Sequence, residues 1–474
     1  MKRLSARPTW LIMLALAIAE ITSSFEVSMA FVALPTMNRV FADPATVSWI
    51  LSGFFIASAG SVALFSRLGD MYGRRRMLIL ILLVAAIGSL MSAMSDSLAG
   101  VIAGRTLQGL TGAVLPLCLG LMRENMQPKT LAVNIGIMSG ILGVSAGLAF
   151  LVAGAIIDHF DWRAMFYFSA GMALIGAIAI WAWVPASQPD ANRPRLDTLG
   201  AVLFVPAISG VMLSITFGKA GWLQLQSGGL LIASLLLLAV WVRHELHHPW
   251  PLINVRLLAD RRILLANLVF AAIGIGPMLS ATVILAIAQQ PEWTGAGLGL
   301  SATASSLLTQ PTTFMGFIAG PAAGLLAARY GVRTAMMTGA AIVALGWLPL
   351  LVNLTAMPIL LLNVIVFSFG IVVLFSAASN QIVLASPLER TSEAMGLAQV
   401  SRGACAALGS QVIALILAGS MVEPNGPGQA FPDAGAYRLV LIYLVLCSLA
   451  ALISAWLLPR PPKSLDGAMT QRVC

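Results

Sequence analysis

Charge is what this chain has least of. Lys, Arg, Asp and Glu make up 9% of its 474 residues, where a soluble domain carries about 25%. Cysteine is almost as scarce. Cys118, Cys405 and Cys447 fall inside apolar runs and Cys474 lies in the tail, so no CxxC, disulfide framework or cysteine metal site is expected. The four histidines, His159, His244, His247 and His248, fall in loops on the apolar pattern. No metal site is expected from them. There is no GxxxxGK[ST] phosphate loop, HExxH or Ser-His-Asp set, which argues against ATP drive, against an enzyme and for no cofactor.

What is present is apolar surface. At 59% hydrophobic residues and a mean hydropathy of +0.92, the chain exceeds the roughly 45 to 50% of a water-soluble globule. Runs long enough for a helix of about 20 residues to cross a bilayer occur near residues 10–34, 47–66, 76–95, 98–121, 131–157, 164–184, 197–217, 227–246, 262–288, 298–328, 333–353, 356–384, 393–421 and 437–458. The expected fold is an all-α polytopic membrane protein with fourteen transmembrane helices. Its first run opens at Trp10 after Lys2, Arg3 and Arg7 and outlasts a signal peptide's core of about 7 to 15 residues, so it reads as a span.

The basic residues orient those spans. Of the 27 Lys and Arg, only Arg39, Arg163, Lys219 and Arg438 fall in loops on one side, and Arg105 and Arg402 fall within spans; all the others lie in loops or ends on the opposite side. Such a bias places the basic side in the cytoplasm, with both termini there. The net charge of +9 is therefore topological, and nucleic acid is not an expected partner. The densest basic segment, Ser66 to Arg76, reads as a short glycine-punctuated turn between two spans.

Two polar segments divide the chain. Ala186 to Arg195 carries two prolines, and His244 to Arg262 follows the eighth span. The expected organisation is a six-helix bundle at 8–185, a linker with two inserted spans at 186–261, a second six-helix bundle at 262–459 and a cytoplasmic tail at 460–474. An internal repeat supports it: Gly324 to Arg333 matches Ser66 to Arg75 at an offset of 258, and Leu388 to Gly396 matches Pro128 to Gly136 at 260. Similar offsets at two places are the trace of a duplicated bundle. Asp70 corresponds to Ala328, so only the first copy carries the acid.

Polar groups inside the runs are the candidates for chemistry. A charge at the bilayer centre costs about 2.5 to 3.5 kcal/mol even on a lenient scale, and the only acids well inside a run are Glu20 and Glu26. Either can exchange a proton; either can equally be a structural acid satisfied by neighbouring hydroxyls. Arg105 needs an acidic or amide partner, and with Gln108 one turn away it is expected to face the first span. The alternative is an arginine that only joins helices. Asn267, Asn363, Asn380 and Arg402 could line a substrate cavity from the second half, or could be helix-to-helix hydrogen bonds.

Jointly, three motifs resemble the major facilitator superfamily, and specifically its fourteen-span drug/proton antiporter branch. Ser66 to Arg76 resembles the loop motif G-x-L-a-D-r-x-G-R-r, Arg105-Thr106-Leu107-Gln108-Gly109 resembles R-x-x-Q-G, and Phe25 to Pro35 resembles L-D-x-T-I-V-N-V-A-L-P. The last puts Glu26 at the signature's acidic position. Of the span-five motif ending Gly-Pro-x-x-Gly-Gly, which is associated with export, only Gly154 remains in Ala149 to Gly154. The resemblance implies a proton-coupled transporter of the bacterial inner membrane, a monomer that exports amphipathic small molecules by alternating access. Glu26, Glu20 and Arg105 would couple protons; Glu26, Gln108, Asn267, Asn363, Asn380 and Arg402 would meet substrate; Asp70, Gly73, Arg74 and Arg329 would gate. Protons, a small-molecule substrate and membrane lipid are the expected partners. An importer or uniporter of a small organic metabolite stays open, as does a different class, a non-transporting sensor or scaffold.

Overall fold

The computed structural model describes residues 8–41, 47, 49–187, 197–218, 224–249, 251, 255–300, 302–423 and 431–459. Fourteen long helices account for almost all of them. In the first half these are α1 (Thr9–Phe41), α2 (Trp49–Tyr72), α3 (Arg74–Met94), α4 (Leu98–Asn125), α5 (Pro128–His159) and α6 (Arg163–Trp183). Next come α7 (Thr198–Gly218) and α8 (Leu230–His247). The second half holds α9 (Arg261–Gln289), α10 (Pro311–Tyr330), α11 (Val332–Val352), α12 (Met357–Ala385), α13 (Thr391–Ala418) and α14 (Ala434–Trp456).

Thirteen of the described helices are long and apolar enough to cross a membrane, and the Thr198–Val211 part of α7 is a shorter apolar helix. The chain is a multi-pass membrane protein. Two spans are broken where the sequence loosens the backbone. In α4 a 3-10 segment, Gly109–Ala113, interrupts the α-helix. In α9 the Gly276-Pro277 pair ends one helical segment and opens another, because proline has no N–H to donate back along the ladder. Outside the spans, a two-residue hairpin pairs Met421–Val422 with Phe431–Pro432.

The apparent turn from Ser66 to Arg76 is a single residue. Helix α2 continues through Tyr72, Gly73 takes φ +105°, and α3 starts at Arg74. Glycine alone adopts that backbone without strain. Charge had suggested a loop here, yet Arg67, Asp70 and Arg74 are all buried, matched by partners that lie far off in sequence. Gly331, at the repeat position, has φ +86°. Arg75 donates to the backbone of Ile180 and Trp181 at the end of α6, and Arg333 donates to Trp456 at the end of α14. The repeat thus extends to how the third helix of each half holds its sixth.

Where the hydrophobic cores lie is informative. At the end of the bundle that carries Arg74 to Arg76, here the basic end, Ile12, Leu82 and Met122 of the first half share one continuous core with Phe270, Met336 and Met395 of the second. At the opposite end there are two cores. Phe25, Met29 and Phe166 belong to one, while Ile287, Trp347 and Tyr437 belong to the other. The halves are therefore joined at the basic end and separately packed at the far end.

Helices α7 and α8 rest on the joint. Phe204 and Ile208 of α7 and Trp241 of α8 form a small core with Ala63 of α2, flanked by Leu397, Val400 and Ala404 of α13. The Phe204 and Trp241 rings lie 4.8 Å apart. The inserted pair thus touches one helix from each half.

Candidate functional site

Glu26 sits just past the middle of α1 with no solvent exposure. Its carboxylate Oε1 accepts hydrogen bonds from Ser169 on α6 and from Ser89 on α3, the latter at 3.2 Å. The guanidinium of Arg105 on α4 lies 3.5 Å from Oε2. Arg105 is itself fully buried; its Nη1 donates to the Glu26 backbone carbonyl at 2.9 Å and to Gln108 Oε1 at 2.8 Å. Gln108 Nε2 then donates to Ser89 Oγ at 2.6 Å, closing a ring of four side chains around the acid. Phe54 covers the guanidinium face at 4.5 Å, a cation–π contact that favours charge in a dry place.

This network is incomplete in a specific way. Glu26 Oε2 and Arg105 Nη2 have no hydrogen-bond partner among the described residues, and the charge pair is longer than a contact ion pair of about 2.7 to 2.9 Å. A buried ion pair persists only when its remaining lone pairs and protons are satisfied. Here the proton on Glu26 decides which bonds exist. Ionised, the carboxylate draws in Arg105; protonated, it becomes a donor and the guanidinium must lean on Gln108 and the backbone.

Glu20 faces a different side. It is 3% exposed, and its Oε2 has no hydrogen-bond partner among the described residues. Arg402 is half-buried, donates to Met278 Sδ at 3.4 Å and lies 5.4 Å from the Phe375 ring. Glu20 belongs to the first half and Arg402 to the second. The three asparagines are placed otherwise. Asn363 donates to the Gly346 carbonyl at 2.6 Å, joining α12 to α11, and Asn267 donates to Ile263 in its own helix. Asn380 reaches the Ala132 carbonyl of α5 at 3.3 Å, near the basic end. All three are helix-to-helix or intrahelical bonds.

The basic end holds a second polar network, between α2, α3, α4 and the start of α13. Arg74 Nε pairs with Asp70 Oδ1 at 2.7 Å and donates to Ser392 Oγ at 2.9 Å, while its other nitrogens reach Glu124 at 2.6 Å and the Leu388 carbonyl at 2.7 Å. Asp70 Oδ2 accepts the Glu393 backbone N–H at 2.9 Å. That N–H is one of the unpaired amides of a helix's first turn, where the helix dipole favours an anion. Arg67 closes the set with Glu393 at 3.0 Å, and Arg123 donates to the Ser386 carbonyl and Thr391.

Arg329 takes no part in this network. It is exposed and lies over the Tyr330 ring at 5.4 Å, so repeat symmetry gives it the position but, in this state, not the partners. Gly73 provides the break between α2 and α3 that sets Asp70 beside Arg74. Sequence reasoning missed Arg67, Glu124, Ser392 and Glu393, although a Thr-Ser-Glu triplet after Pro387 is a readable helix start. It also missed Ser89 and Ser169, which carry no signal of their own. Three of the four histidines end helices: His159 is the last residue of α5 and His244 and His247 lie in the last turn of α8, which His248 caps.

With this architecture in view, the relatives fall into place. The family model described as Major Facilitator Superfamily matches residues 16–275 and 264–468. The chain belongs to the Major Facilitator Superfamily. Among curated proteins it is 27% identical over 447 residues, 91% of this chain and 79% of the other, to the tetracenomycin C resistance and export protein of Streptomyces glaucescens. It is 30% identical over 346 residues, 69% of this chain and 70% of the other, to the uridine/deoxyuridine transporter of Lactococcus lactis subsp. cremoris. A solved structure of the proton:xylose symporter XylE, bound to 6-bromo-6-deoxy-D-glucose, superposes with a TM-score of 0.67 at 14% identity over 95% of this chain and 96% of that one. It shares the fold. This Major Facilitator Superfamily protein is thus a membrane transporter, and Glu26 with Arg105 is the most deeply buried charge pair in its first half.

Proposed function

We propose that this transporter is a proton-coupled exporter of amphipathic small molecules in a bacterial inner membrane, a member of the fourteen-span drug/proton antiporter branch. Both termini and the basic end face the cytoplasm on this reading. The observation that carries it is the Glu26 site: a fully buried carboxyl, reached by two serines and one arginine, whose bonding changes with a single proton. Glu20 of α1 and Arg402 of α13, one from each half, are where a substrate of mixed polarity would bridge them. One proton moving down 100 mV contributes about 2.3 kcal/mol, enough to bias such a cycle.

The separate cores at the far end and the shared core at the basic end support an outward-facing state, with the Asp70, Arg74 and Glu393 network as the cytoplasmic latch. The printed name of the Streptomyces relative supports export. The Lactococcus nucleoside transporter, together with the loss of the span-five Gly-Pro motif, supports the second reading, uptake of a small metabolite.

The deciding experiment is a substrate screen in inverted vesicles, wild type beside Glu26→Gln. Under an imposed proton gradient, coupled transport should fall at least tenfold in the variant, and purified wild type should release protons when a transported substrate is added. Gradient-driven transport that is unchanged in Glu26→Gln would refute coupling through this residue.

A further inference from the structure

Three side chains that the transport reading leaves unused converge where the inserted helices begin and end. Asp197 precedes α7, and His244 and His248 lie one helical turn apart at the end of α8, so both rings project from one face. His244 Nε2 lies 2.8 Å and His248 Nδ1 lies 3.6 Å from the same oxygen, Asp197 Oδ2. One ligand atom from each residue falls within 4.8 Å of the other two. An ion bound tetrahedrally at about 2.0 to 2.2 Å holds its ligand atoms roughly 3.3 to 3.5 Å apart, so small rotations of the two rings would complete the triangle.

The carboxylate is built for the task. Asp197 is 3% exposed, and its other oxygen, Oδ1, accepts the Gly200 N–H at 2.7 Å, the kind of second bond that orients a ligating group. Oδ2 is thereby aimed at the imidazoles. Both histidines are half-buried, which leaves the centre of the triangle open to solution from one side. Glu245 is buried next to Asp197 against Gly200. Arg243 and His247 point outward on the exposed face.

We propose that Asp197, His244 and His248 bind a divalent transition-metal ion of the Zn2+ class. Two imidazoles and one carboxylate suit Zn2+, Co2+ or Ni2+ and not Mg2+ or Ca2+, which take oxygen ligands. The ion would tie the start of α7 to the end of α8, two helices that rest on both halves. The bland competitor is a plain His–Asp hydrogen bond that holds the same ends together without metal.

The test is calorimetric titration of ZnCl2 into full-length, tag-free protein in detergent, with Co2+ absorption as a second readout. Wild type should bind one equivalent saturably with a tetrahedral Co2+ spectrum. Asp197→Asn, which keeps the bond from Gly200, and His248→Ala should each weaken binding at least tenfold, and His247→Ala should leave it unchanged. No saturable binding by wild type overturns the proposal, and so does wild-type affinity in both Asp197→Asn and His248→Ala.

Discussion

The two halves meet along two seams related by the internal repeat, and the seams are held by opposite means. One joins α2 to α13, the other α10 to α5. At the repeat offset of 258, Ser66, Arg67, Asp70 and Arg74 of the first seam become Gly324, Leu325, Ala328 and Val332 in the second. At the offset of 260, Ser392 and Glu393 become Ala132 and Val133. Every ionic group of the first seam is thus apolar in the second. One contact survives in both: Gly396 lies against Ser66 as Gly136 lies against Gly324.

The second seam works by backbone approach. A methyl group added at Gly320 would lie 2.7 Å from the Gly136 carbonyl oxygen and 2.9 Å from the Gly140 Cα, closer than side chains tolerate. Small residues let membrane helices meet this closely where lipid supplies no hydrophobic drive. One seam is therefore fastened by charges, which a change of protonation, water or ligand can release; the other is fitted by shape and responds to none of these. Among the described residues, the side-chain hydrogen bonds between halves gather at the basic end, and all the charged ones belong to the first seam, so a switch acts chiefly there.

The largest effect expected from breaking this contrast is at Arg74. Removing one partner of a buried ionic set costs about 3 to 5 kcal/mol, because Asp70 is left buried without its cation. In Arg74→Ala the state closed at the basic end should lose at least a hundredfold in population. A cysteine placed at Ser66, which is buried against Gly396, reports this in a background without the native cysteines. Thiol labelling there should rise steeply in Arg74→Ala; labelling that stays at the parent's rate would mean that the charges do not hold the seam.

A smaller effect is expected on the shape-fitted side. Overpacking costs typically 1 to 3 kcal/mol, so Gly320→Leu should also disfavour closure, with a transport rate reduced several-fold. Gly143→Ala is the matched control, since a methyl there meets nothing nearer than 3.8 Å. The contrast is sharpened by salt: it should modulate labelling in the parent and in Gly320→Leu, and less in Arg74→Ala, where the Arg67–Glu393 pair is left. Equal sensitivity in all three would erase the distinction between the seams.

Much of this was legible before any coordinates. Fourteen apolar runs correspond to fourteen helices because a bilayer demands the same length of each, and the scarcity of charge made Glu26 and Arg105 stand out. Charge also misled. Arg67 and Asp70 read as loop residues, and the second apolar run ends at Ser66, because the partner that buries them lies more than 300 residues away, at Glu393. Ser89 and Ser169 are ordinary serines until the fold turns them onto Glu26. Asp197 opens the seventh apolar run and His244 opens the polar segment after the eighth, and only the pairing of α7 with α8 brings them together.

Arg329 supplies the smallest effect and the cleanest control on the repeat argument. It falls in the matching segment of the second half, two residues before a glycine that also has a positive φ, so symmetry alone gives it a gating role. Its surroundings do not: exposed, with an adjacent tyrosine as its ring contact, it has the profile of a surface substitution, worth less than about 0.5 kcal/mol. Arg329→Ala should leave both Ser66 cysteine labelling and transport within twofold of the parent. A loss approaching that of Arg74→Ala would mean that the second copy also latches, in the state with the basic end open, and that the asymmetry between seams belongs to one conformation and not to the cycle.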